Sequence, residues 1–480
     1  MTTFIIGLVI LIVGGIAYGA FCEKVFGPDD RPTPAITMND GIDFVPMNKW
    51  KNSLIELLNI AGTGPIFGPI QGILFGPIAF ILIPVGCVLS GALHDYMSGM
   101  ISIRENGAQM PGLIGKYLGK GTFQVYNIFV CLLMLLVGAV FIYTPGDILV
   151  TQIMGQDGSA SNPVVWIVYA IIFIYYLVAT LFPIDKIIGR IYPIFGIILL
   201  LSAVGIFGGI FAHGYPLTGI GEEPVWWMSL NTSPILPIFF VTVACGITSG
   251  FHSTQATLIA RSVTDEREGK MTFYYMMILE GFIAMIWTAA AMGTYTMLEE
   301  GSVLPGATAV VGMVAKDMLG SVGGFIALLG VVVLPITSGD TALRSLRLML
   351  ADYLHYDQKE SSHRIILSSV IFVFVAAILV FAKLNAEGFN ILWRYFAWSN
   401  QTIAIFAFAM ITVYLYKNGR NFICSLLPGM FYCFIISSFI LNAKIGFNLP
   451  MNIAYVLGVI ITAVYAILIV KTGKKVKSSK

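Results

Sequence analysis

The chain has 480 residues, 57% of them hydrophobic and only 11% charged, with a formal net charge of +2. A water-soluble chain averages about 25% charged residues, so composition excludes an ordinary soluble domain. The small net charge carries no information about partners, and no nucleic acid is expected among them.

Residues 1–22 have no basic segment ahead of their apolar run and no A-x-A cleavage signal behind it. They are expected to be a retained first span, because a removed leader needs both. Twelve more apolar runs follow, at 53–70, 72–93, 123–142, 163–182, 191–212, 234–251, 272–297, 321–339, 365–382, 392–416, 423–441 and 452–471. Each approaches the ~20 residues that cross ~30 Å of hydrocarbon. The fold class expected is therefore an all-α integral membrane protein of about 13 transmembrane helices. Gly62, Gly64, Pro65, Gly68, Pro69, Gly72, Gly76 and Pro77 interrupt 53–93, which also fits one long span with a re-entrant piece. Residues 305–320 are too short and too polar at their ends to span, and are expected to form an external helix or cap. Residues 340–356 continue helically from the span before them, with Leu343, Leu346, Leu350 and Leu354 on one face. Cys22, Cys87, Cys131, Cys245, Cys424 and Cys433 lie in or at the ends of apolar runs without CxxC spacing. They read as small apolar residues, not as disulfides or metal ligands.

Basic residues set the direction of the spans. With the N-terminus outside, 23 of the 27 lysines and arginines fall in inside segments, leaving Lys316, Lys383, Arg394 and Lys444 outside. Lys186 and Arg190 read as anchors of an inside loop. The expected arrangement is multi-pass in the cytoplasmic membrane, N-terminus outside and C-terminus inside.

Two spans carry breaks: 59–70 (NIAGTGPIFGPI), and 244–255 (ACGITSGFHSTQ) without proline. In lipid, a broken helix leaves unpaired backbone groups that only protein or a cavity can satisfy. The two spans run in opposite directions, and five spans separate corresponding positions. A five-span unit repeated in inverted direction brings two such breaks together at mid-membrane, around a solute and its coupling ion.

At 59–70, 90–100 (SGALHDYMSGM), 102–119 (SIRENGAQMPGLIGKYLG), 249–255 (SGFHSTQ) and 399–401 (SNQ), the sequence resembles the carbon starvation protein A family. That resemblance implies an inner-membrane carrier for uptake of peptides or pyruvate, linked to the response to carbon starvation. It further implies the amino acid–polyamine–organocation superfamily, with a LeuT-like 5+5 inverted repeat. On that reading 1–22 is one extra N-terminal helix, 53–212 and 234–416 are the two five-helix halves, and 423–480 holds two extra C-terminal helices with a basic tail. Many members of the family are considerably longer, so this is a compact form.

Substrate contacts are expected from Asn59, Gly62, Thr63, Gly64 and Gln71 at the first break, and from Ser249, His252 and Gln255 at the second. Backbone N–H groups freed near Gly62–Gly64 suit a carboxylate, and a histidine in a break can bind one or titrate near neutral pH. The amides Asn400 and Gln401 either line the path or cross-link helices. Glu280, about ten residues into its span, is a candidate proton carrier, since ionisable groups at membrane depth are costly. Glu56 is expected in solvent at an inner mouth. His94 and Asp95 are expected to end the third span on the inner side, as an inner gate or an interface hydrogen bond; as helix neighbours they are not expected to face each other. In LeuT-like carriers, hydroxyls such as Thr337 and Ser338, with Thr341 nearby, build a sodium site, and oxygen ligands suit a hard cation. Asp340 serves a proton equally well, so the coupling ion is H+ or Na+. No other cofactor is expected. The absence of HExxH, GxSxG and DxxxD motifs argues against an embedded enzyme. A solute sensor without transport is the remaining alternative.

Overall fold

In a computed structural model the chain is helical throughout, apart from one isolated bridge between Met47 and Val263. The structure describes all residues except 42, 182–184, 355, 357–359, 386 and 479–480, together with the side chains at 180–181, 185–193, 195, 341, 352–353 and 361. The side chains of Lys186, Arg190 and Thr341 thus lie outside the described residues.

The principal helices are α1 (Thr2–Phe26), α2 (Lys49–Ile60), α3 (Gly64–Gly72), α4 (Ala79–Arg104), α5 (Met110–Leu118), α6 (Lys120–Ile153), α7 (Pro163–Leu181) and α8 (Asp185–Ala212). After them come α9 (Ala244–Ile247), α10 (Gly250–Ile259), α11 (Glu266–Thr296), α12 (Ala307–Tyr353), α13 (Ser361–Leu384), α14 (Gly388–Lys417), α15 (Ile423–Asn442) and α16 (Met451–Ser478). Nine helices among the described residues are long and apolar enough to cross a membrane. Three shorter apolar helices, Gly64–Phe75, Pro163–Ala179 and Gly196–Ala212, accompany them. Predicted spans 53–70 and 234–251 are each divided by a break, so neither half has the length of a full crossing.

Two further differences concern helix ends. Predicted span 72–93 continues to Arg104, which puts His94 and Asp95 well inside α4, fully buried. Residues 305–320 do form a helix, and it ends where Gly320 adopts φ +68° inside α12. Only glycine takes that conformation without steric cost.

The chain packs as two compact units, each drawn from several stretches of sequence. One comprises Met1–Phe129, Thr218–Thr288 and Ala397–Lys480; the other comprises Val130–Leu217 and Ala289–Phe396. Each takes helices from both predicted five-helix halves, so the compact units cut across sequence order.

In the first unit, α1 approaches its neighbours through glycines. A Cβ on Gly7 would lie 2.2 Å from the Phe80 carbonyl oxygen, and one on Gly19 3.0 Å from the Tyr274 ring. Small residues allow such approach where apolar surroundings supply no hydrophobic drive. The segment after α1 is pinned to the loop ahead of α11. Arg104 donates two hydrogen bonds to the buried Glu266 (2.9 and 2.8 Å), and Thr33 donates to the Val263 carbonyl (2.6 Å). Beside them the Arg31 guanidinium, hydrogen-bonded to Asp29, holds that carboxyl well below the usual carboxylate range.

The second unit contains a buried charge pair. Lys383 donates to Asp147 at 2.9 Å, and its ammonium lies over the Tyr143 ring, 4.8 Å from the centroid. Thr308, at the start of α12, donates to the other Asp147 oxygen at 2.6 Å. The sequence reading counts Lys383 among the four basic residues left outside. The structure buries its side chain, where Asp147 and Tyr143 supply the partners that a buried ammonium needs. Lys383→Met should leave Asp147 uncompensated and cost about 3–5 kcal/mol, as breaking one side of a buried pair does. The check is the thermal unfolding midpoint in detergent, where Lys383→Met with Asp147→Leu should recover most of the loss.

Candidate functional site

The first break begins where α2 stops at Ile60. Ala61 leaves the helical region (φ −79°, ψ +50°), and α3 restarts at Gly64 with Pro65 in its first turn. Proline has no N–H to lose there, and it disfavours helical geometry in the residue before it. The Gly62 N–H is not free for a solute; it donates to the Ile60 carbonyl at 2.8 Å. Open space does border this glycine, since a Cβ there would meet nothing within 4 Å.

The second break has no proline. Thr248 and Ser249 are extended between α9 and α10 (φ −157° and −129°). Side chains from elsewhere in the first unit hold it open. The Asn400 carbonyl oxygen accepts from the Phe251 N–H (2.8 Å), and its amide donates to the Ser249 hydroxyl (2.8 Å) and the Cys245 sulfur (3.2 Å). Ser90 and Thr248 share a hydroxyl hydrogen bond of 2.7 Å. A Cβ on Gly250 would lie 2.4 Å from the Asn400 carbonyl oxygen, and one on Gly91 2.1 Å from the Ile247 carbonyl oxygen. The Phe251 N–H at the start of α10 thus finds its partner in protein, as burial demands.

The two breaks press against each other. A Cβ on Gly64 would lie 2.2 Å from the Cys245 Cβ, and one on Gly246 3.4 Å from Pro69 Cγ.

Against this junction lie five fully buried ionisable side chains: Glu56 of α2, His94 and Asp95 of α4, His252 of α10 and Glu280 of α11. His94 Nδ1 is 2.8 Å from one Asp95 oxygen, and His252 Nδ1 is 3.1 Å from the other. His252 Nδ1 is also 3.5 Å from Glu280 Oε2. Neither oxygen of Glu56 nor of Glu280 has a hydrogen-bond partner among the described residues.

Several expectations change here. His94 and Asp95 do face each other although adjacent on a helix. The short aspartate arm reaches the ring nitrogen nearest the backbone, so divergent Cβ directions do not separate them. Their burial in the cluster is also not the inner end of a span, where a gate was expected. Glu56 is buried instead of solvated, because α2 continues under the loop ahead of α11, where Asn52 donates to the Ser262 carbonyl.

Of the predicted substrate residues, Gly64, Ser249, His252 and Asn400 meet at the junction. The Thr63 hydroxyl is buried beside it with no partner among the described residues, and Asn59 is half-buried at the end of α2. Three amides are engaged elsewhere. Gln71 donates to the Phe67 carbonyl (3.2 Å), Gln255 to the Thr254 hydroxyl (3.2 Å) and Gln401 to the Phe240 carbonyl (2.7 Å). Thr337, Ser338 and Asp340 belong to the second unit. Thr337 donates to carbonyls of its own helix, and Asp340 lies 3.5 Å from Arg344. Sequence reasoning missed Cys245, Ser90 and Thr248 as parts of the junction. The spacing of Cys87, Ser90 and His94, three and four residues apart, was the available signal.

The long apolar helices are those of a multi-pass membrane protein, and solved structures share the fold. A manganese transporter from Eremococcus coleocola superposes with a TM-score of 0.60 at 11% identity, covering 92% of this chain and 98% of its own. MhsT in complex with L-phenylalanine gives 0.51 at 14% identity, covering 86% and 98%. Both are LeuT-like transporters. The sequence profile described as Carbon starvation protein CstA matches residues 1–230, 221–315 and 304–439, and the chain belongs to that family. An uncharacterized membrane protein of Haemophilus influenzae is 41% identical over 342 residues, which is 62% of this chain and 91% of that protein. The pyruvate/proton symporter BtsT of Escherichia coli is 26% identical over 56% of this chain and 45% of its own length. The peptide transporter CstA of Bacillus subtilis is 37% identical over 25% of this chain and 20% of its own length. The chain thus aligns with half or less of these two named transporters.

Gly64→Ala should force the two breaks apart and destabilise the protein by about 1–3 kcal/mol, the usual cost of overpacking. Cys245→Gly in the same chain should restore most of the unfolding midpoint, since it removes the atom that the new methyl group strikes.

Proposed function

We propose that this protein is a secondary active transporter for uptake of a small carboxylate-bearing solute, a peptide or pyruvate, in the response to carbon starvation. The observation that carries this reading is the direct contact of two broken helices, Gly64 against Cys245. Breaks in hydrocarbon are tolerated where they serve a binding site. The names of its relatives support a peptide or pyruvate as cargo, and the likeness to MhsT supports membership of the amino acid–polyamine–organocation superfamily.

In the proposed arrangement, α2–α3 and α9–α10 are the first helices of two five-helix halves of opposite direction. Helix α1 is extra at the N-terminus, and α15 and α16 are extra at the C-terminus. The N-terminus lies outside and the C-terminus inside the cytoplasmic membrane, following the distribution of basic residues. Transport proceeds by alternating access around the junction, driven by H+ or Na+. The solute carboxylate approaches Asn59, Gly62 and Thr63, where open space borders Gly62 and the Thr63 hydroxyl is unused. Ser249 and Asn400 fix the opposite wall.

The test is uptake and counterflow in proteoliposomes, with pyruvate and alanyl-alanine supplied under separately imposed proton and sodium gradients. Saturable counterflow of either solute is the expected result. Solute binding without counterflow would favour the sensor reading. Gly64→Leu should insert in the membrane at the normal level and lose uptake. Normal uptake by that variant would mean that the first break serves packing alone.

A further inference from the structure

We infer that Glu56, Asp95, His252 and Glu280 form a single proton-binding site, and that its occupancy sets the position of the second broken helix. This inference rests on the transport reading and names its driving ion and the residues that hold it.

Hydrogen-bond counting carries the argument. Asp95 receives both imidazoles, His94 at one oxygen and His252 at the other. His252 Nδ1 has one hydrogen to give and two carboxylates within reach, Asp95 at 3.1 Å and Glu280 at 3.5 Å. Serving Asp95 leaves Glu280 without a donor among the described residues, and Glu56 has none among them either. Three carboxylates against two imidazoles also leave one negative charge over, even with both rings protonated. An uncompensated charge at this burial costs several kcal/mol. Bound protons remove it.

The remaining titratable groups facing the cluster add no positive charge. They are the thiols of Cys87, which feels Glu280 and Asp95, and Cys245, which feels Glu280. Helix α2, which carries Glu56, packs on α10, which carries His252, so Glu56 belongs to the same buried set as Asp95 and Glu280. Among the described residues, no three His, Cys, Asp or Glu side chains converge as metal ligands would. The ligand that fits is a proton.

The site is also joined to the backbone that must move. His252 lies in the first turn of α10, and its N–H donates to the Ser249 carbonyl (3.2 Å) in the extended turn. When a proton leaves Glu280 for water, the bared carboxylate competes for the His252 Nδ1 hydrogen. The ring swings from Asp95 toward Glu280 and draws the Thr248–Ser249 turn with it. No covalent bond other than the O–H bond breaks, and one proton is released.

The experiment uses the full chain in proteoliposomes and compares two assays, counterflow without any ion gradient and concentrative uptake driven by a pH gradient. The wild type should show both. Glu280→Gln and Glu56→Gln should keep counterflow but lose pH-driven accumulation by about 5–150-fold, the usual range of a coupling free energy. Glu280→Asp should recover part of it. Infrared difference spectra upon alkalinisation should show loss of a protonated-carboxyl stretch in the wild type, weakened in each glutamine variant. This second readout holds even where one variant fails to fold. Absence of counterflow in the wild type would overturn the transport reading and this inference together. Counterflow with accumulation driven only by sodium, or unchanged pH-driven accumulation in both glutamine variants, would overturn this inference alone.

Discussion

Hydrocarbon cannot hydrogen-bond to a peptide group, and this constraint governs the whole structure. Each of the two breaks exposes N–H and C=O groups that must find partners inside the protein. Gly62 and Ala61 turn their N–H groups back onto α2, while at the second break Thr248 donates to the Ala244 carbonyl and the Asn400 side chain accepts from the Phe251 N–H. Those solutions require close approach, and close approach requires glycine at 64, 91 and 250. The small residues are therefore placed by the breaks, and the breaks by the solute site proposed for them.

The same junction explains how five ionisable groups can be buried together. Side chains from α2, α4, α10 and α11 reach one region because two helices stop and restart there, leaving room beside the unwound turns. Asp95 is fully served by two imidazoles, whereas Glu280 and Glu56 are not. In the proton site proposed here, this unequal service makes Glu280 and Glu56 the members where a bound proton would rest, with Asp95 sharing the His252 donor. In the second unit, by contrast, Lys383, Asp147 and Thr308 satisfy one another, and that group reads as an anchor for the start of α12.

Much of this was legible in the sequence, but unevenly. The breaks announced themselves through Gly-Thr-Gly-Pro and through polar residues inside an apolar run. The short helix ending at Gly320 followed from polarity at its ends. Helix length was harder to read, since His94, Asp95 and Arg104 look like the end of a span when only hydropathy is counted. His94 and Asp95 are buried and Arg104 is half-buried, because Asp95 pairs with His252 and Arg104 with Glu266 in distant segments. Glu56 was misread because the helix that covers α2, α10, lies far away in the sequence. That Asp95, His252 and Glu280 meet was also beyond periodicity, which gives the face of a helix but not what packs on it. The π-wound turn Cys87–Gly91 further shifts the register of α4 just ahead of His94.

The amide of Asn400 serves a helix start 149 residues earlier in the chain. During synthesis, α9 and α10 therefore emerge long before the group that caps them exists. Until α14 is made, the second half-helix must hold its first N–H against water or a neighbouring carbonyl. The junction is thus a late product of assembly, completed only when nearly the whole chain has left the ribosome.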